Sequence, residues 1–382
     1  MDFELSEEQK LLLDQVRNFV RNSSPVERLR RLREDEVGWQ KETWKQMGEL
    51  GWLGVAFPED VGGMGLSFVE AALILQELGT TLVPEPFIPS VVLGGLLLQN
   101  LGSKEQRQAY LAPMIAGDTS LALAYAEVDA RHALSYQSTR ATSDGDDYVL
   151  EGEKRWVLNG HAADHLLVSA RTSGEADDEK GLSVFVVPRN TPGVQIVRVQ
   201  CMDGHKAAMV SLAGARVPKA SLLGQEGMAL PSLEQVLDYA AAAACAEGSG
   251  LVQRTLEMTR QYLTERKQFG AVIGTFQALQ HRAVDMFVEV ELCKSTAIHA
   301  MLRVDADSVE ARIRAVSTAK AQLSSGGGFV TRQAIQLHGG IGVTDEHDVG
   351  LYFKRHHVLS SLFGDEQYHV DRFGRMPSFE NG

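Results

Sequence analysis

The chain has 382 residues, 44% hydrophobic and 23% charged, the balance of a soluble globular protein of two or three domains rather than a disordered one. Thirty-seven Lys and Arg against fifty Asp and Glu give a formal charge of -13 with no basic tract, which speaks against sequence-independent nucleic-acid binding. The longest strongly apolar stretch, Val91-Val92-Leu93-Gly94-Gly95-Leu96-Leu97-Leu98, is far short of a membrane span.

In chain order, Ser6-Glu7-Glu8-Gln9 is a capping-box pattern, and Leu11, Leu12, Val16, Phe19 and Val20 follow on one helical face. The period predicts further helices over Gln40 to Leu50, stopped by Gly51, over Phe68 to Leu78, ending at Gly79, and over Glu105 to Ile115, with a loop from Pro58 to Gly65. Near residue 120 the texture changes. Short β-type runs at Tyr148–Leu150, Trp156–Leu158, Leu166–Val168, Val184–Val187 and Val194–Val197 are separated by Asp144-Gly145, Asn159-Gly160 and Asn190-Thr191-Pro192-Gly193, a spacing that predicts a small barrel or sandwich. From Pro231 the helical period returns. Helices are predicted over Ser232 to Arg266, Gly274 to Val304, Glu310 to Leu323 continuing through Gly326-Gly327-Gly328 towards Gln336, and Asp348 to Leu362.

Met1-Asp2-Phe3-Glu4 has neither the positive lead nor the apolar run of a secretory signal. Cys201, Cys245 and Cys293 are widely spaced and odd in number, which suggests reduced thiols and a cytoplasmic protein. Without a CxxC, an HExxH or a Cys/His cluster, no metal site is expected.

Two constellations carry chemistry. Arg266-Lys267-Gln268-Phe269-Gly270, followed by Phe276-Gln277 and Gln280, places an Arg that can grip a phosphate three residues before a ring that can cover an adenine. From the residues alone, a charged helix end with a Phe packed in the core is the stronger reading. Gln336-Leu337-His338-Gly339-Gly340-Ile341-Gly342 lacks the Lys-Ser/Thr of a phosphate-binding loop, but its glycines permit close backbone approach to a ligand or another subunit. A turn between helices is the plainer alternative.

Together these motifs resemble the acyl-CoA dehydrogenase family over nearly the whole chain. Leu5-Ser6-Glu7-Glu8-Gln9 and Phe57-Pro58-Glu59-Asp60-Val61-Gly62-Gly63-Met64-Gly65 look like its opening helical domain, and Lys154-Arg155-Trp156-Val157-Leu158-Asn159-Gly160 like its flavin motif. Arg266 to Gly270, then Gln336 to Gly342, resemble its C-terminal signatures. The resemblance implies an α+β, mostly α fold: an N-terminal α-helical domain (1–119), a middle β-barrel or sandwich domain (120–225) and a C-terminal four-helix bundle (226–382). It implies FAD, with Ala126, Glu127, Trp156 and Leu158 lining the isoalloxazine. Arg266, Gln268, Phe269, Gln336, Gly339, Gly340 and Gln367 would bind the cofactor as well, several of them holding the ADP half of a flavin that belongs to a second subunit. Asp238 matches a position that contacts the acyl-CoA substrate. An electron-transfer flavoprotein is the implied acceptor, and a tetramer, dimer or heteromer the implied assembly, with neither nucleic acid nor membrane as partner.

The sequence also departs from the family. The reaction removes a proton from the acyl α-carbon, which needs a carboxylate base. The two family positions for it are occupied here by Phe363, in Leu362-Phe363-Gly364-Asp365, and by Ala240, in Ala240-Ala241. Glu247 is the first carboxylate after Ala240 on the long helix, seven residues and about 10 Å along, and is the candidate catalytic residue. Asp365 and Glu366 are the other local carboxylates, with an ordinary acidic helix start as their alternative. The family's run of small residues beside the flavin is replaced by Ala126-Glu127-Val128-Asp129-Ala130-Arg131-His132-Ala133, and Leu158 stands in place of a hydroxyl residue. The half-site for this chain's own flavin is therefore weakened while the half offered to a neighbour is intact. That asymmetry resembles the small subunits of pimeloyl-CoA and steroid side-chain acyl-CoA dehydrogenases. The expected activity is α,β-dehydrogenation of an acyl-CoA to the 2-enoyl-CoA, by a homo-oligomer with an unusual base or by a heteromer in which this chain lacks the base. The alternatives are a flavin-free acyl-CoA-binding or interaction scaffold and an acyl-CoA oxidase or flavin monooxygenase on the same fold.

Overall fold

The computed structural model describes residues 5–306 and 308–376; the opening Met1-Asp2-Phe3-Glu4 lies outside the described residues. The chain packs as two units, one of Met1–Arg31, Phe68–Val83 and Ala241–Gly382, the other of Leu32–Ser67 and Pro84–Ala240. It is a mostly helical α+β protein with a sheet in the middle of the sequence, the class the sequence predicts.

Helix α1 (Glu7–Asn22) starts as predicted: the Ser6 hydroxyl accepts from the Gln9 amide and Gln9 Oε1 accepts from the Ser6 amide, both at 3.1 Å. α2 (Val26–Leu32) has no counterpart in the sequence reading, because seven arginine-rich residues are too few to show a period. α3 (Lys41–Glu49) stops before Gly51, which takes φ +80°. α4 (Phe68–Gly79) follows a connection with two 3-10 turns, Trp52–Gly54 and Glu59–Val61, the second inside the predicted loop. The apolar run around Val91 is helical, a π stretch over Phe87–Gly95 leading into α5 (Leu96–Leu101). Its period is hidden because almost every residue is buried. α6 (Lys104–Gln106), a second π stretch (Arg107–Leu111) and α7 (Ala112–Ile115) make up the helix predicted from Glu105.

An eight-stranded sheet follows, formed by β1 (Leu121–Ala124), β2 (Arg140–Asp144), β3 (Asp147–Leu158), β4 (His165–Arg171), β5 (Leu182–Pro188), β6 (Val194–Gln200), β7 (Lys206–Pro218) and β8 (Leu222–Leu223). The order is β6-β7-β3-β2-β4-β5-β8, with β1 parallel to β4. The two runs read as separate strands at Tyr148 and Trp156 are halves of β3, interrupted by a bulge between Lys154 and Val157. β7 escapes sequence reading because Ala207, Ala208, Ala213, Gly214 and Ala215 carry little strand preference; pairing with β3 on one side and β6 on the other holds it.

Inside this sheet lies a polar core. The fully buried Lys154 ammonium donates to Glu127 (2.6 Å), Gln137 and Ser169 (3.2 Å), and Glu127 also accepts from the Ser138 amide and hydroxyl (both 2.6 Å) and from the Thr139 amide (3.1 Å). Burial pushes the Glu127 carboxyl up, but the Lys154 charge and these hydrogen bonds outweigh it and bring it down to about 2. Burial brings Lys154 down to about 8 against the pull of Glu127.

The second helical region comprises α8 (Leu230–Glu265), a small hairpin of β9 (Lys267–Gln268) and β10 (Ala271–Val272), α9 (Gln277–Arg303), α10 (Val309–Gln322), α11 (Gly328–His338), α12 (Val349–Ser361) and α13 (Glu366–Gly374). The predicted passage of a helix through the triple glycine holds, with α10 and α11 joined by a π turn at Leu323–Gly327. The Leu323 carbonyl bonds the His356 ring at 2.8 Å. A Cβ on Gly327 would stand 2.6 Å from His356 Nε2 and one on Gly326 2.4 Å from Glu289 Oε2, so neither position accepts a side chain without a shift. Val252, Met286, Val290, Val330, Ala334 and Tyr352 lie in the core of this region.

Because the folded value of Glu127 lies below its unfolded 4.5, its contribution to stability is complete above pH 4.5 and is lost as pH falls through about 2. Urea melts should show that loss, on the order of 3 kcal/mol. Lys154→Met should cost roughly 3–5 kcal/mol at neutral pH by stranding the carboxylate; an unchanged midpoint would contradict a load carried by this pair.

Candidate functional site

Six non-glycine residues among those described have positive φ: Leu82, Arg131, Trp156, Asn159, Phe269 and Phe363. All but Leu82 lie in segments that the family resemblance singles out. Side chains bearing a Cβ seldom adopt this conformation, and where they do, function is a common reason.

Trp156 owes its φ of +53° to the β3 bulge, where the Arg155 amide leaves the ladder and donates to the Ala126 carbonyl at 2.8 Å. The bulge ties β3 to the segment after β1 and leaves the indole 57% exposed, while Lys154 and Val157 on either side are buried. Leu158 is half-buried and pairs with Ala207. Asn159, at φ +58°, accepts from the Trp39 indole at 3.1 Å. Ala126 is half-buried, and the Glu127 side chain points into the polar core, so only its backbone is free to line a ligand. Asp238, on α8, is buried.

The hairpin after α8 is built for display. Gln268 pairs with Ala271 and Lys267 with Val272, leaving Phe269-Gly270 as a two-residue turn at φ +53° and +79°. Such turns favour Asn-Gly, so a phenylalanine in the first position is out of place on backbone grounds. Its ring is 92% exposed, 6.3 Å centroid to centroid from Phe276, and not packed in the core as the residues alone suggest. Arg266, Gln268 and Gln336 are exposed too. Gly339 has φ +62°, and a Cβ added to Gly270, Gly339 or Gly340 would meet nothing within 4 Å. No neighbour among the described residues requires Gly340 to lack a side chain; close approach by something outside the chain would.

Neither position that the resemblance marks for the base holds a carboxylate. Ala240 is fully buried. Phe363, at φ +59°, packs half-buried against the helical core, and its carbonyl bonds the His369 ring at 3.0 Å. Asp365 caps α13 by accepting from the Tyr368 amide at 2.9 Å, the ordinary helix-start role, and Glu366 is exposed in the first turn. Gln367 is exposed, with its amide on Asp371 at 2.7 Å. Glu247 is buried in a two-point ion pair, Oε1 accepting from Arg355 Nε at 2.6 Å and Oε2 from an Arg355 terminal nitrogen at 2.9 Å. A Cβ on Gly79 would come 2.2 Å from the Glu247 carbonyl, which shows how closely α4 crosses α8 there. Sequence reasoning missed Arg355, which lies 108 residues away with no local signal.

Models of the acyl-CoA dehydrogenase N-terminal, middle and C-terminal domains match residues 6–118, 122–214 and 227–376. The chain is 32% identical over 357 residues to the probable acyl-CoA dehydrogenase YngJ of Bacillus subtilis (strain 168), covering 91% of this chain and 92% of that protein. Among solved structures, a variant of the Tcur3481-Tcur3483 steroid ACAD aligns with a TM-score of 0.85 at 30% identity over 96% of this chain and 97% of that one. The ChsE4-ChsE5 complex from Mycobacterium tuberculosis aligns with a TM-score of 0.88 at 28% identity over 98% of both chains. The chain belongs to the acyl-CoA dehydrogenase family, FAD-dependent oxidoreductases that act on acyl-CoA thioesters.

The residues present fit part of that cofactor well. A displayed ring, an arginine and glycines with open space above them suit an adenosine diphosphate. The exposed Trp156 indole suits a flat ring system, but beside it the 126–133 segment carries Arg131 and His132 where small residues would pass most closely.

Replacing Arg355 with Met should leave the buried Glu247 unpaired and cost roughly 3–5 kcal/mol, while pairing Arg355→Met with Glu247→Leu should recover much of the loss. Denaturant melts of the four proteins check this; additive single effects would contradict a coupled pair.

Proposed function

We propose that this chain is the base-lacking, flavin-completing subunit of a heteromeric acyl-CoA dehydrogenase that converts an acyl-CoA to the 2-enoyl-CoA and passes electrons to an electron-transfer flavoprotein. The observation that carries the reading is the commitment of Glu247 to Arg355. A base must accept a proton from the substrate, and doing so here would cost a buried, two-point ion pair. The likeness to a steroid ACAD named for two components, and to the ChsE4-ChsE5 complex, supports a heteromer. So does α9, which leaves Val284, Phe287, Val288 and Leu292 exposed at helical spacing, an apolar face suited to another subunit.

In this reading the chain works in three parts, 1–119, 120–225 and 226–382, the last serving a flavin held mainly by the partner. Arg266 would pair with the diphosphate, Phe269 would cover the adenine, and Gln268, Gln336 and Gln367 would offer amides to the same half. Gly339 and Gly340 let the backbone approach closely. Trp156 and Leu158, with the Ala126–Glu127 backbone, form the chain's own reduced flavin face, and Asp238 lies on the acyl-CoA side. Bound FAD would supply the acceptor for the hydride that leaves the acyl β-carbon. The α-proton goes to a carboxylate that the partner supplies.

In the assembled protein, Arg266→Ala and Phe269→Ala should lower bound flavin several-fold while leaving the thermal midpoint of this chain within a degree or so, since both side chains are exposed. Retention of full flavin by both variants would overturn the reading. Turnover per folded complex should be unchanged within about twofold by Glu247→Gln, where loss of a general base would cost about a hundredfold or more.

A further inference from the structure

Three rings from three segments meet beneath the exposed hairpin and the glycine turn. Tyr262 of α8 and His338, the last residue of α11, have centroids 4.6 Å apart; His338 and His347 are 4.4 Å apart, and Tyr262 and His347 6.4 Å. Each of the three residues is tied to a part of the candidate half-site or its flank, Tyr262 and His338 through the backbone and His347 through its ring. The Tyr262 carbonyl accepts from the Arg266 amide at 2.9 Å, at the foot of the hairpin. His338 immediately precedes Gly339, and His347 accepts at Nδ1 from the Val349 amide at 3.1 Å, at the start of α12.

His338 is 1% exposed, and its Nδ1 lies 2.8 Å from the Ala334 carbonyl. A carbonyl only accepts, so Nδ1 carries the hydrogen and Nε2, buried, keeps a lone pair with no hydrogen-bond partner among the described residues. The His347 ring is fixed the other way, its Nδ1 lone pair used and its hydrogen on Nε2. Both imidazoles are therefore neutral in the stack. A proton from solvent on His338 Nε2 would create a buried donor with no acceptor, beside a second imidazole. Among the described residues, Asp348 and Arg30 are the charged groups that act on His347, and Arg30 binds Asp348 at 2.8 Å and Asp345 at 3.5 Å. Burial, with a smaller push from His347, holds the His338 pKa below the usual histidine value; burial and Arg30 do the same for His347 against Asp348.

We infer that His338 is a positioning residue: the neutral Tyr262–His338–His347 stack holds the Arg266–Gly270 hairpin and the Gly339-Gly340 turn in register for the flavin's adenosine diphosphate half, and protonation of His338 releases them. This rests on the half-site assignment proposed above. It makes flavin retention fall in mild acid through a local opening, well before the protein unfolds.

The test is amide hydrogen exchange at Ile273, bonded to the Arg266 carbonyl, and at Gly339, bonded to the Gln336 carbonyl, in the assembled protein between pH 7.5 and 5, with released FAD measured on the same samples. Protection at both amides, corrected for intrinsic exchange, should fall by up to about tenfold per pH unit once the opening takes up one proton. His338→Phe keeps a ring in the stack and removes the titrating nitrogen, so it should flatten that dependence; His347→Phe, which leaves His338 able to charge, should keep it. Flat protection in the wild-type protein overturns the inference whatever the variants do. Protection that falls while flavin stays bound would leave the opening standing and count against the half-site assignment instead.

Discussion

Glu247 is held by both carboxylate oxygens to the guanidinium of Arg355, and the proposed function depends on that buried pair. An ionised carboxylate in a dry interior is tolerable only while its partner stays, and a carboxylate engaged at both oxygens is poorly placed to collect a substrate proton. With Phe363 and Ala240 at the positions that the resemblance marks for the base, the carboxylate that follows Ala240 on the long helix, Glu247, is engaged in the fold. The chain keeps the scaffold of an acyl-CoA dehydrogenase while its candidate base is engaged elsewhere.

The features that survive are those a neighbour would use. At the hairpin turn, a phenylalanine occupies a left-handed position that an asparagine would fill with less strain, and the ring stands in water. Gly340 has open space where a side chain could sit. Neither feature contributes to the chain's own packing. Both make sense when a ligand from outside covers them. Lys154, the first residue of the stretch that resembles the family's flavin motif, points inward to hold Glu127, so part of that pattern records the architecture of the sheet rather than contact with a cofactor.

Long periodic helices were legible from the sequence: the bounds of α8, α9 and α12 fall within a few residues of the pattern, and the Ser6 capping box forms as written. The losses have physical causes. α5 and the π stretch before it are buried on nearly every side, which erases the period, and β7 is too rich in alanine and glycine to announce a strand that its neighbours impose. The hairpin residues were visible, but the exposure of Phe269 was not, since a phenylalanine near a helix end is ordinarily core. Arg355 and the Tyr262–His338–His347 stack depend on segments brought together by the fold, and nothing local marks them.

The central claim is an asymmetry: one sound half-site offered outward and one reduced half-site kept. The most direct measurement is the flavin content of the chain co-purified with a base-bearing family member, from the absorbance spectrum and native mass of the same sample. One FAD for each pair of unlike chains, with this chain colourless by itself, is the predicted result. One FAD for every chain, bleached by an acyl-CoA in a preparation of this chain alone, would contradict it.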